Sequence, residues 1–337
     1  MKKSNIILTG AGLTIIIAGM KIASSILVPF LLAGFIAILT APILLFLQNK
    51  KIPRGIAVLM IVLLLVILGG SLSTLLGTSI KGFSSRIPFY TERVYEQSNW
   101  VIGLAGDWGI DIPKSTVEEY FDPGTAIKII GKTLTGLRSV LTNTFLIILT
   151  VIFILLEASG IPKKIKKAFK QTDEGLAPVK TFFASFNHYL IIKTCTSLAT
   201  GVLIFLWLTF FNIDFPVLWG LLAFMLNFVP NVGSIIAAIP AILIAIIQLG
   251  FMDAGIILLG YVAVNITLGS LLEPRLLGKG LGLSPLIVFL SLVFWGWVLG
   301  PVGMLLSVPL TMIAKIAMEN NEGTKWISIL MGSESEI

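Results

Sequence analysis

The chain of 337 residues contains one cysteine, Cys195, and one histidine, His188, and only 12% of its residues are charged. A lone cysteine excludes a disulfide framework within the chain and any multi-cysteine metal centre. A lone histidine excludes every motif that needs two, including the paired histidines of helical zinc proteases. Scarce charge excludes a disordered chain, which has the opposite composition. With 56% hydrophobic residues and a mean hydropathy of +0.99, the apolar surplus exceeds what one water-soluble core can hide. The expected fold is an all-α integral membrane protein whose first partner is the lipid bilayer.

Catalytic constellations are missing too. Glu118-Glu119 lacks the later Arg and His of a glutamate-type membrane protease, no Ser/His pair falls within a span, and no glycine loop of the Walker type occurs. The reading is therefore a non-enzyme that needs no cofactor. Without an ATP site on the chain, a carrier would draw on an ion gradient, on the solute's own gradient or on a partner subunit. The net charge of +7 does not require a nucleic-acid partner, because Lys and Arg collect in cytoplasmic loops of membrane proteins for topological reasons.

What the chain has in abundance is long charge-free runs. A spanning helix needs about 20 apolar residues, and the intervals Ser4–Met20, Ile22–Asn49, Gly55–Ile80, Ser139–Leu156, Thr194–Ile213, Phe215–Met252, Ala254–Leu272 and Gly280–Ala314 give about eight candidate spans. The first could pass for a secretory leader after Lys2 and Lys3, but apolar character resumes directly beyond Lys21, which favours a retained helical hairpin. Phe215–Met252 at 38 residues and Gly280–Ala314 at 35 are too long for one modestly tilted helix. Each must hold a break or a re-entrant piece.

These runs divide the chain into residues 1–80 with spans one to three, an extracytoplasmic segment 81–138, residues 139–193 with span four and a basic cytoplasmic linker, a transport core 194–319 and a cytoplasmic tail 320–337. The 81–138 segment is expected to form amphipathic helices, with a Ser115/Glu118 capping box and Asp122-Pro123-Gly124 as punctuation. A helical cap on the membrane face and a substrate-recognition domain both fit it. The run Ile161–Lys170 spaces Ile161, Ile165, Ala168 and Phe169 among lysines, as an interfacial helix on anionic headgroups requires.

Two passages interrupt the apolar core. In Asn227-Phe228-Val229-Pro230-Asn231-Val232-Gly233-Ser234, a proline, a glycine and two amides should defeat helical hydrogen bonding. Irregular backbone at membrane depth survives only where it is buried in protein or lines a wet cavity, so Asn227, Pro230, Asn231, Gly233 and Ser234 are candidate pathway residues; a structural kink is the alternative. In Leu272–Pro285 the prolines and glycines dictate a loop, and Glu273, Pro274 and Arg275 are expected to form a re-entrant or gating element. Gly296, Gly300, Pro301, Gly303 and Pro309 punctuate the last run.

PNVGSIIAAIPAI at Pro230–Ile242, LEPRLLGKGLGLSPLIVFL at Leu272–Leu290 and GWVLGPVGMLLSVPLT at Gly296–Thr311, in that order, resemble the autoinducer-2 exporter family of bacterial membrane proteins. Ile26–Ala33 with Pro42, and Ile52–Ala57, extend the resemblance over nearly the whole chain. It implies an eight-span transporter of the bacterial inner membrane, assembled as a homo-oligomer, that exports autoinducer-2 or exchanges Na⁺ or Li⁺ for H⁺; the transported partner is then a small solute or a monovalent cation. Family members often carry an acidic–amide pair just before the Pro274 position, whereas this chain reads Asn265-Ile266-Thr267-Leu268-Gly269-Ser270. That departure weakens the antiporter reading unless Glu273 substitutes. A non-transporting channel or assembly protein is the third class.

Other carboxylates, Glu157, Asp214 and Asp253, fall near expected helix ends where water can solvate them, and a proton or cation relay is the alternative for each. His188 and Cys195 read as packing residues at the start of span five. Orientation follows from charge: with a cytoplasmic N-terminus, fourteen Lys/Arg lie inside, and the short outer connections hold only Lys21, Arg275 and Lys279. Both termini are then cytoplasmic. With Cys195 replaced by serine, Ser98→Cys should react with an impermeant thiol reagent in intact cells and Lys166→Cys should not; the opposite pattern inverts the topology.

Overall fold

Backbone groups in a run of apolar side chains at membrane depth can bond only to one another, so such runs close as helices. The computed structural model describes residues 3–107, 129–131, 144–157, 177–230, 232–277, 282–319 and 322–332, and no strand occurs among them. The helices are α1 Lys3–Ile22, α2 Ser24–Asn49, α3 Arg54–Asp107, α4 Thr144–Glu157, α5 Ala177–Phe210, α6 Pro216–Leu226, α7 Gly233–Leu249, α8 Phe251–Val264, α9 Glu273–Leu277, α10 Pro285–Leu305, α11 Ser307–Glu319 and α12 Lys325–Met331, with a π-helical stretch Asn265–Leu272 joining α8 to α9. Five helical stretches are long and apolar enough to cross a membrane, and shorter apolar helices include Thr144–Glu157, Pro216–Leu226 and Gly233–Leu249. The chain is an all-α, multi-pass membrane protein.

It divides into two compact units. The first comprises Met1–Leu68, Asn143–Thr194 and Pro274–Ile337. Here α2 packs on α4, with Ala33, Ala37, Ala57, Ile61 and Val151 in one buried cluster, and α10 packs on α1 and α2. Small residues on α2 let these helices approach closely, which is how helices associate where lipid supplies no hydrophobic drive. Arg54, at the start of α3, donates from its guanidinium to the Leu155 carbonyl at 2.5 Å. That carbonyl lies in the last described turn of α4. Lys21, in the last turn of α1, sits 3.7 Å over the Trp297 ring.

The second unit comprises Gly69–Thr142 and Cys195–Glu273. Its core gathers Tyr90, Leu208, Trp219, Leu222, Ala237, Ala241, Ile244 and Ile257. Alanines 237, 241 and 245 recur at four-residue spacing on α7, and all three are fully or nearly fully buried, giving α6 and α8 a smooth face to pack on.

Both over-long intervals are interrupted. The 38-residue run becomes α6 and α7, with non-helical turns at residues 227–230 and 232 between them. The last run changes direction inside α10 at Gly300, whose φ of 69° and ψ of −153° are not helical. A Cβ on Gly303 would lie 2.0 Å from the Trp295 carbonyl oxygen, so the chain folds back closely enough that only glycine fits.

One expectation needs correction. The loop expected from Leu272 onward does not begin there: the helix continues through Pro274 to Leu277. The π-helical stretch explains why, since Glu273 N–H already bonds five residues back to the Leu268 carbonyl. The ladder is wider before the proline arrives, and a missing donor in the first turn of α9 costs little. Helix α3 runs past Lys81 without interruption to Asp107. Residues 325–331, expected within a tail, form α12, and the Ser284 N–H donates to the Met331 carbonyl at 3.0 Å. The Ser115/Glu118 box, Asp122–Gly124 and the Ile161–Lys170 run lie outside the described residues.

Arg54→Met should remove this donor from the Leu155 carbonyl and destabilise the detergent-solubilised protein by about 1–3 kcal/mol. The expected readout is a lower thermal unfolding midpoint, partly recovered in Arg54→Lys.

Candidate functional site

Helix α5 carries Thr196, Ser197 and Thr200 just after Lys193 and Thr194, and all three are buried, at 3%, 0% and 6% exposure. Buried hydroxyls need partners. Thr200 satisfies itself by donating to the Thr196 carbonyl at 2.9 Å, the ordinary habit of a threonine in a helix. Ser197 and Thr196 instead reach other segments of the same unit.

Ser197 is reached through a close crossing. A Cβ on Gly201 would lie 2.8 Å from the Gly220 carbonyl oxygen, and one on Gly220 would lie 2.7 Å from the Gly201 carbonyl oxygen. The backbones of α5 and α6 therefore touch, and only glycine at both positions permits it. The contact brings the residue that caps the C-terminus of α6 to the face of α5, where Asn227 donates from Nδ2 to Ser197 Oγ at 3.0 Å. Asn227 itself is 7% exposed.

Beyond Asn227 the chain turns. The Val229 N–H donates to the Leu226 carbonyl at 2.8 Å and the Gly233 N–H donates to the Val229 carbonyl at 3.2 Å. The regular ladder fails, as its sequence indicates, but turn bonds replace part of it. A Cβ on Gly233 would fall 1.8 Å from the Leu226 carbonyl oxygen, so the start of α7 rests directly on the end of α6. Gly233 is buried, Pro230 and Ser234 are half-buried, and Asn231 lies outside the described residues.

Glu273, the last residue of the second unit, accepts a hydrogen bond at Oε2 from Thr196 Oγ1 at 3.3 Å. The side chain is half-buried, whereas Pro274 and Arg275 are exposed. Neighbouring hydroxyls of α5 thus collect one group from each interrupted passage, Asn227 through Ser197 and Glu273 through Thr196. Sequence reasoning missed both hydroxyls. Their signal is a short polar cluster, Lys193 to Ser197, at the start of an apolar run, and back-bonding would explain its hydroxyls equally well.

The other carboxylates divide. Asp253 lies in the first turn of α8, where a negative charge suits the helix dipole, and Glu157 is exposed at the end of α4. Asp214 is different: its carboxylate accepts from Arg86 at 2.5 Å and from the Tyr90 hydroxyl at 2.7 Å. Its N–H donates to Gln248 Oε1 at 2.9 Å and its carbonyl accepts from Trp219 Nε1 at 2.8 Å. Asn212 and Phe215 beside it take positive φ values of 53° and 58°. This cluster clamps α3 to the α5–α6 connection, where sequence reasoning placed a solvated helix end or a relay. His188 and Cys195 are exposed on α5. Among the described residues, no group of three or more His, Cys, Asp or Glu could hold a metal ion.

The family model of the AI-2E family transporters matches residues 11–323. The chain belongs to the AI-2E transporter family. It is 40% identical over 319 residues to the AI-2 transport protein TqsA of Escherichia coli (strain K12), covering 95% of this chain and 93% of that protein. It is 37% identical over 328 residues to a candidate transport protein of Haemophilus influenzae, covering 96% and 94%. It is 33% identical over 328 residues to YhhT, a candidate transport protein of Escherichia coli (strain K12), covering 97% and 94%. The seam on α5 therefore belongs to an AI-2E transporter, and the passages it ties together fall within the matched residues.

Two substitutions test the seam as structure. Gly220→Ala should push α6 off α5 at a cost of about 1–3 kcal/mol. Ser197→Ala should cost about as much by depriving the Asn227 amide of its acceptor. Thermal unfolding of the purified proteins checks both, and an Asn227→Leu/Ser197→Ala pair should be less damaged than Ser197→Ala alone.

Proposed function

We propose that this AI-2E family protein is a secondary transporter that moves a small solute across the bacterial inner membrane, with its pathway running past Asn227, Pro230, Asn231, Gly233 and Ser234 and past Glu273, Pro274 and Arg275. The observation that carries the reading is the pair of hydrogen bonds by which Ser197 holds Asn227 and Thr196 holds Glu273. A carboxylate and a carboxamide kept on one helix within an apolar protein cost several kcal/mol unless protein or water surrounds them. Intramembrane polar groups beside interrupted helices are the usual construction of solute and ion sites in secondary carriers.

The solute we favour is autoinducer-2, the cargo named for the 40%-identical relative TqsA. Exchange of Na⁺ or Li⁺ for H⁺ is a second reading, favoured by Glu273, whose carboxylate could carry a cation or proton. The absence of an acidic residue in Asn265–Ser270 counts against it. We further propose that both termini are cytoplasmic and that the protein works as a homo-oligomer.

Purified protein in sealed vesicles, with an imposed pH gradient and autoinducer-2, Na⁺, Li⁺ or K⁺ supplied in turn, tests the reading. Autoinducer-2 flux against its gradient is the expected result. Flux only down the gradient, indifferent to the ions, favours a channel. Asn231→Ala and Ser234→Ala should lower flux severalfold while leaving folded protein in the membrane, and wild-type flux from both returns the turn to a structural role.

A further inference from the structure

The hydroxyl of Thr196 does something its neighbours do not. In helices of this chain, Thr40, Thr74, Thr150, Thr200, Thr209 and Thr267 each donate to the carbonyl four residues back. Thr196 directs its hydroxyl to a carboxylate on another segment, Oε2 of Glu273. It is 3% exposed, so water does not compete for that donor. Threonine is stiff at its first side-chain torsion in a helix, which fixes where the donor points. Glutamate is the reverse case, with several rotatable bonds whose freedom must be lost before its carboxylate can act at one place.

The base of Glu273 is also set locally. The π-helical stretch ends at Leu272, the Glu273 N–H bonds to the Leu268 carbonyl, and Pro274 follows with no donor. Backbone geometry thus fixes where the side chain starts, and Thr196 fixes where it ends.

We propose that Thr196 is the positioning residue of this transporter, holding the Glu273 carboxylate in the one orientation from which it engages what is carried. This rests on the reading of Glu273 as a pathway carboxylate. Thr196 touches no solute itself; it acts through Glu273.

The test uses full-length protein in vesicles, with autoinducer-2 flux under an imposed pH gradient as the probe and Na⁺ and Li⁺ flux measured in parallel. Thr196→Val keeps the shape and removes the donor. Thr196→Ser keeps the donor. Glu273→Asp keeps the charge but withdraws it by one methylene.

Thr196→Val is expected to lower maximal flux about tenfold with little change in half-saturating concentration, since misplacing a group by about 1 Å is worth that much or more. Thr196→Ser should stay within about twofold of wild type. Glu273→Asp should fall as Thr196→Val does, and the double variant should be no slower than the slower single, because both lose the same interaction.

The proposal is overturned if Thr196→Val transports like wild type, if Thr196→Ser is as slow as Thr196→Val, or if the two losses multiply in the double variant. Should Thr196→Val fail to reach the membrane folded, Thr196→Ala is read in the same way, beside the Glu273→Asp result. Glu273→Gln separates the two levels. Lost flux in Glu273→Gln with normal flux in Thr196→Val removes the positioning role alone. Normal flux in Glu273→Gln removes the pathway reading of Glu273 and the positioning role with it.

Discussion

The backbone-to-backbone crossing of α5 and α6 at Gly201 and Gly220 is the constraint on which the second unit depends. Lipid offers no hydrophobic reason for two apolar helices to associate, so their affinity comes from close packing and from hydrogen bonds across the contact. Side chains at either glycine would hold the helices apart, and the Asn227 amide would no longer reach Ser197 at 3.0 Å. The turn that follows is built on the same alignment, because Gly233 rests against the Leu226 carbonyl at the end of α6. Moving α6 moves the turn.

The polar seam has a cost that the crossing offsets. Thr196, Ser197, Thr200 and Asn227 are buried groups that would each be unfavourable without partners. Hydrogen bonding among them makes the seam tolerable within an apolar protein, and Glu273 joins it through Thr196. At the connection between α5 and α6, Arg86, Tyr90, Gln248 and Trp219 all bond to Asp214. That clamp fixes a connection whose Asn212 and Phe215 take left-handed conformations unfavourable for residues with a Cβ.

Much of the fold is legible in the sequence because lipid imposes a length rule. Runs without charge mark the helices, and the two runs that are too long are the two that break, after Leu226 and at Gly300. The exception at Pro274 is instructive. A proline usually ends a helix, but a π-helical stretch just before it changes the bonding register, and nothing in Asn265–Leu272 advertises that solution. Of the candidate site, Asn227 and Glu273 were readable as polar groups where apolar ones were expected. Their partners were not: Ser197 is 30 residues from Asn227 and Thr196 is 77 from Glu273. The clamp on Asp214 was hidden likewise, since its Arg86 lies 128 residues away in sequence. Local pattern reports which residues are costly in lipid; it does not report which partners meet that cost.

Thiol reactivity along α5 tests the central claim most directly, that the face of this helix bearing Ser197 lines a wet pathway during transport. Methanethiosulfonate reagents react with the thiolate, which forms in water and not in lipid. With Cys195 replaced by serine, Ser197→Cys would sit on the seam, and Leu198→Cys would take the place of a side chain that is 56% exposed on the apolar outside of the helix. During turnover the position 197 thiol should be modified by a small polar reagent, faster than the position 198 thiol, and autoinducer-2 should slow it. A position 197 thiol that stays inert under turnover while position 198 reacts would contradict a pathway along this face.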